Sequence, residues 1–273
     1  MEEKLLEIKD LFKNERLSSA FEIISQLQGE YDKSQNPEVD IIKADLELAN
    51  ECLSLLADLE SWTLVKQTEE IATFTKGSSS EFIIRAEMIA DSPMLPILAL
   101  FSEVHLLKDW VPILKDATCL SQPTKFRRII QYKYNLPWPA NDMDMVVTAV
   151  GIPIADNNSA LIVLRSLDSY TEFLGVNIPK PEGPRLTLTI GCLNLTYLGP
   201  EKTQVSLIAK SNPHMPIIPV QLVNYATKHG VYYFMEAVRN KANAFRGSVF
   251  EQLVEANPSY YQDLRDRIQG IST

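Results

Sequence analysis

The sequence is poor in the residues that disulfide, metal and covalent chemistry need. It holds 3 cysteines, Cys52, Cys119 and Cys192, odd in number and far apart, so no disulfide framework is expected. Neither these nor the 3 histidines stand in metal-ligand spacing. Only 10 glycines are present, and none forms a phosphate-cradling loop or the Gly-x-Ser-x-Gly elbow of a serine hydrolase. No apolar run approaches the roughly eighteen residues of a membrane span. The best, Pro93 to Phe101, is short and begins with proline. No enzyme, metal site, cofactor or membrane-spanning segment is expected on these grounds.

Charge of one sign is confined to one end. Residues 1–60 hold 6 Lys and Arg against 15 Asp and Glu, which accounts for the whole formal charge of −9; the other 20 basic and 20 acidic residues cancel. A balanced body lacks the basic face that displaces counterions from nucleic acid, so no nucleic-acid partner is expected. The acidic start Met1-Glu2-Glu3 does not read as a signal peptide, which makes the cytoplasm the expected compartment. The Asn157 and Asn194 sequons are then chance matches.

What is present is a patterned globular chain, 45% hydrophobic. Leu5, Ile8, Leu11 and Phe12, then Leu17, Ala20, Phe21 and Ile24, recur at helical spacing. Asn36-Pro37 opens a third helix whose stripe runs through Val39, Ile42, Leu46, Ala49 and Leu53. From Trp62 the pattern turns to strands, with segments at Phe82–Ala90, Phe126–Tyr134, Met145–Ile152, Ala160–Ser166, Arg185–Tyr197 and Thr203–Lys210. A helix from Ser92 to about Lys108 interrupts them, and a long helix from about Val220 to Phe245 follows them. The proline-rich stretch 167–184 is a long loop, of the kind that is functional or mobile. Strands in succession with helices segregated to one side read as α+β. The expected divisions are an acidic helical extension over 1–58, a main domain over 59–256 and a helical tail over 257–273.

Leu136-Pro-Trp-Pro-Ala-Asn-Asp142 sets an indole between two prolines at the corner of a sheet. With Trp62, Trp110, Asn212-Pro213 and the stretch Ile218-Pro219 to Val231, it resembles the START family of lipid-binding domains over roughly Ser61 to Ala244. The pattern is closest to the phosphatidylcholine-transfer branch. The resemblance implies a helix-grip fold, a curved antiparallel sheet wrapped on a long C-terminal helix. It also implies a lipid ligand in the tunnel between them, moved between membranes without covalent chemistry. Two departures bear on the ligand. The family's Asn-Arg-Asp is Asn141-Asp142-Met143 here, and the Arg and Asp that flank the tryptophan of phosphatidylcholine-binding members are Leu107 and Val111. Either the ligand is more apolar than phosphatidylcholine or its head group is held elsewhere.

Alternation along Phe126–Tyr134 puts Arg128, Ile130, Tyr132 and Tyr134 on one face, the better candidate for the tunnel. Tyr132 and Tyr134 read either as lipid lining or as plain core. Arg128 would be a costly inward charge, so an edge or solvent position is expected. Arg165 is a candidate for an anionic head group or for pairing with a carboxylate such as Asp144, and Asn194 for a buried amide on a face shared with Leu188, Ile190 and Cys192. Arg85 and Glu87 are read as a solvated pair. Trp110, Leu222, Tyr225 and Ala226 complete the candidate lining. Lys228, Arg239, Lys241 and Arg246 give the C-terminal helix a basic face, suited to an anionic membrane or to the acidic N-terminal helices. The alternative to lipid binding is an interaction subunit that docks a protein partner through residues 1–58 and keeps the pocket as a relic or sensor.

Overall fold

The structure, a computed structural model, describes residues 2–14, 16–26, 37–78, 81–135, 142–154, 158–212 and 229–272. Nine antiparallel strands form one sheet: β1 (Thr63–Gln67), β2 (Ile71–Ser78), β3 (Glu81–Ala90), β4 (Leu114–Thr124), β5 (Arg127–Tyr134), β6 (Met143–Ile154), β7 (Ser159–Ser166), β10 (Thr187–Gly199) and β11 (Lys202–Asn212). Their order is β1-β2-β3-β11-β10-β7-β6-β5-β4, and β8 (Glu172–Phe173) with β9 (Val176–Asn177) make a separate small hairpin. Its turn places Leu174 and Gly175 at φ of 49° and 76°, the twin left-handed residues of a tight hairpin turn.

Helices pack on both faces. The inner face carries α4 (Met94–Ser102), a 3-10 turn (Val104–Asp109) and α5 (Val231–Asn243). The helices α1 (Glu2–Lys13), α2 (Leu17–Gln26) and α3 (Pro37–Ala57) lie on the outer face, and α6 (Val249–Ala256) and α7 (Pro258–Ser272) close one end. This is the expected α+β helix-grip. The helix expected over 220–245 is described from Val231 onward. Its first half, with Leu222, Tyr225 and Ala226, and the Pro137-Trp138-Pro139 corner lie outside the described residues.

Period-two alternation divides each central strand between two cores. Met145, Val147, Leu193, Leu195 and Val205 face inward with Met235 and Val238 of α5. Val150, Ile152, Leu161, Val163 and Ile190 face outward and meet Ile8, Phe12, Ile42 and Ala49 of the N-terminal helices. The apolar stripes of α1, α2 and α3 therefore share one core with the outer face of the sheet. Charged groups are buried in the same layer. Asp45 of α3 pairs with Arg127 of β5 at 2.8 Å, and Arg165 reaches the same carboxylate at 3.6 Å. Arg85 does pair with Glu87, yet it is 5% exposed and donates from Nη1 to the Asp58 carbonyl at 2.8 Å. The solvated reading of that pair gives way to a buried clamp on the end of α3.

Strand β4 was not expected, because its polar run with Pro123 lacks alternation. As an edge strand it has one partner and tolerates the missing donor. The 167–184 stretch is also better anchored than a loop: Leu167, Phe173 and Ile178 are buried against Ile129 and Val146 on the outer side.

Candidate functional site

The inner face of the sheet and the helices against it enclose a cavity of about 320 Å³. β5 contributes Arg128, Ile130, Tyr132 and Tyr134, the face expected from alternation. β6 and β7 add Met145, Ala149, Ile162 and Leu164; β10 and β11 add Leu188, Leu193 and Leu207. The opposite wall is Leu98, Phe101 and Ser102 of α4, Leu107 and Val111 beyond it, Phe234 of α5, and Tyr260 and Leu264 of α7. The width near β10 depends on a glycine. A β-carbon at Gly191 would stand 2.5 Å from Leu188 Cδ2, so the leucine lies flat over a backbone that carries no side chain.

The lining is apolar except at one corner. There Arg128 donates from Nη1 to Tyr260 Oη at 3.2 Å, and Tyr260 Oη lies 3.1 Å from Ser102 Oγ. The guanidinium also sits over the Tyr260 ring, 5.2 Å from its centre. Burial pushes the Tyr132 and Tyr134 hydroxyls above the ordinary phenol range, so both stay protonated.

The sequence candidates separate accordingly. Arg128, Tyr132 and Tyr134 share the cavity wall, and the expectation of an edge or solvent position for Arg128 is corrected to a half-buried, cavity-lining one. Trp110 sits one layer back, stacked on Phe234 at 6.3 Å and edge-on to Phe101 at 6.0 Å, and braces the two rings that do line the space. Arg165 is on the outer face, with Asp45 rather than Asp144; Asp144 instead accepts from Arg185 Nε at 2.8 Å. Asn194 is also outward, buried, and donates to Thr196 at 3.1 Å. It shares that face with Ile190 and Cys192 but not with Leu188, because a bulge between Leu188 and Ile190 reverses the alternation. Tyr260 and Ser102 went unrecognised. Ser102 follows the apolar run of α4, and Tyr260 belongs to a tail whose approach to β5 no local pattern announces.

The basic face expected on the C-terminal helix is partly engaged. Arg239 forms a two-pronged pair with Glu70 in the β1–β2 turn, while Lys241 and Arg246 are exposed. Among the described residues there is no cluster of three or more potential metal ligands. The thiols of Cys52 and Cys192 are buried on α3 and β10, and interaction with Cys192 together with burial pushes Cys52 far above the ordinary thiol range. No helix among the described residues is long and apolar enough to cross a membrane.

No family model matches the chain, and no curated protein is similar to it in sequence. Solved structures match closely in shape. Human StAR-related lipid transfer protein 5 superposes with a TM-score of 0.64 at 13% identity, over 74% of this chain and 96% of that one. Human STARD10 gives 0.61 at 14% identity over 71% and 78% of the two chains. The STAR-related lipid transfer protein fragment of Xanthomonas axonopodis gives 0.55 at 16% identity, over 67% and 99%. The fold is therefore the START helix-grip. At these identities the likeness establishes the fold.

Proposed function

We infer that this protein binds a lipid-class molecule in the helix-grip cavity and carries or presents it without covalent chemistry. The observation that carries this reading is the cavity itself, walled by Phe101, Leu107, Ile162, Leu164 and Phe234 with one polar corner. Apolar carbon placed there leaves water at about 25 cal/mol per Å² of buried surface. Leu222, Tyr225 and Ala226 are proposed to contact the lipid. Access from a membrane is proposed to run through movement of the C-terminal helix. The 167–184 segment does not border this path, because its buried residues pack on the outer face.

Leu107 and Val111 line the cavity as hydrocarbon where phosphatidylcholine-binding members carry charge, so no strong preference for phosphatidylcholine follows. A protein partner at residues 1–58 would meet their solvent face, since the apolar stripes of α1 and α3 lie against the sheet.

Native mass spectrometry of the purified protein tests the reading. A co-purified lipid at one copy per chain is expected, and Ala149→Trp, which fills the cavity from β6, should remove it while the fold persists. A protein that neither co-purifies with lipid nor takes it up from mixed vesicles overturns the proposal.

A further inference from the structure

We propose that the cavity selects an apolar molecule of one chain or one compact ring system ending in an anionic group, carboxylate or phosphate, which Arg128 holds at the corner formed with Tyr260 and Ser102. This rests on the reading that the cavity binds a lipid-class molecule. Most buried or half-buried arginines among the described residues have a carboxylate partner, and the one on the cavity wall does not. Arg127 and Arg165 share Asp45, Arg85 has Glu87, Arg185 has Asp144 and Arg239 has Glu70. Arg128 has no carboxylate within 4.0 Å among the described residues. Glu103, next to Ser102 in sequence, accepts instead from the Tyr261 hydroxyl at 2.6 Å.

A guanidinium carries five N–H donors in a flat fork suited to a two-oxygen anion. Tyr260 Oη takes one of them, and no other hydrogen bond leaves Arg128 to a described residue. Tyr260 fixes the cation twice, by that bond and by its ring, without neutralising it. A neutral apolar ligand filling the cavity would strip water from an unpaired cation and leave it unsatisfied. An anionic end supplies the missing charge and acceptors, so discrimination arises as much from the penalty on the neutral ligand as from the new bonds. Tyr132 and Tyr134 stand four and six residues beyond Arg128 on the same face of β5, and because burial keeps them protonated they bring no competing anion into the cavity. The volume of about 320 Å³ lies at the lower end of ligand pockets, which favours one chain over the two of a phospholipid.

The test titrates delipidated 273-residue protein with palmitic acid in its ionised form, its methyl ester, hexadecanol and hexadecyl phosphate, read by calorimetry. The acid, the phosphate or both should bind at least about tenfold tighter than the ester and the alcohol, and the better of the two identifies the anion. Arg128→Gln should abolish the preference from both sides, weakening the acid and tightening the ester as the desolvation penalty on the cation disappears. Tyr260→Phe, which keeps the ring and removes Oη, should lower the preference by about threefold and serves if Arg128→Gln does not fold. Equal binding of acid, phosphate and ester by the wild type, or a preference that survives both substitutions, overturns the inference while cavity binding stands. Inorganic phosphate or acetate binding as tightly as the long-chain anions also overturns it, as a free-anion site. Failure of all four long-chain probes overturns the lipid reading and this inference with it.

Discussion

Asp45 Oδ2 on α3 lies 2.8 Å from Arg127 Nη2 on β5, in contact with a side chain that has no exposed surface. Thr148 accepts from Arg127 Nη1 at 3.4 Å, and the Phe12 ring of α1 covers the guanidinium at 5.0 Å. One carboxylate thus ties the acidic helices to β5, the strand beside the β4 edge, on the side away from the cavity.

Asp45→Ala should therefore destabilise the protein strongly, because it leaves Arg127 charged, buried and without its carboxylate. The expected loss is about 3–5 kcal/mol, read as a lower urea midpoint. Changing the pair together, Asp45→Leu with Arg127→Met, should recover most of that loss. Ligand affinity of the folded Asp45→Ala protein should be little changed, since neither residue lines the cavity.

Removal of residues 1–58 should yield an aggregating protein rather than a soluble lipid-binding core. It uncovers Val150, Ile152, Leu161, Val163, Ile190 and Ile208 as one apolar patch and strips the cover from Arg127. Light scattering and dye binding to exposed hydrophobic surface measure this. A monodisperse truncation of native stability would show that the outer face does not need its helices.

Gly191→Ala should weaken ligand binding as well as the fold. The new methyl meets Leu188 Cδ2 at 2.5 Å and the Leu164 carbonyl at 3.1 Å, so Leu188 has to swing toward the cavity. The expected cost is about 1–3 kcal/mol of stability. Leu188→Ala added to Gly191→Ala should cost less than the two changes taken separately, which a double-mutant cycle by thermal denaturation reads directly.

Asp144 should contribute to the acid limb of the stability profile. Burial raises its carboxyl, but bonds from Arg185 and Gln131 with the nearby Lys133 charge outweigh burial and hold it below the ordinary 3.8. A carboxyl depressed in the folded state stabilises fully above its unfolded value and loses that contribution as the pH falls through the folded one. The wild type should therefore lose stability below about pH 4, and Asp144→Asn should flatten that limb and lower stability at neutral pH. Denaturation midpoints across that range check it.

Much of the fold could be read from pattern, because β5, β6, β7 and most of β10 and β11 alternate between the two faces and a buried sheet leaves little freedom of register. The face carrying Arg128, Tyr132 and Tyr134 followed from the same alternation. Period-two reasoning failed at Leu188, where a bulge inserts a residue that composition does not mark. It failed at β4 as well, since an edge strand owes its pairing to its neighbour rather than to an apolar stripe. The burial of Arg127 and Arg85 was illegible for another reason. Their partners Asp45 and the Asp58 carbonyl stand 82 and 27 residues away, and charge pairs carry no periodicity.

The contact between Arg128 and Tyr260 spans 132 residues. During synthesis, β5 would have left the ribosome well before Tyr260, and the strand would present its arginine to an unfinished, open chamber. On the proposed function, ligand capture is then expected to be a late event, following the emergence of α7 and closure of the wall. Truncations ending between α5 and Tyr260 would retain most of the sheet yet lack the ring that orients the cation. A ribosome-stalled series ending on either side of Tyr260 would place the onset of binding on the chain.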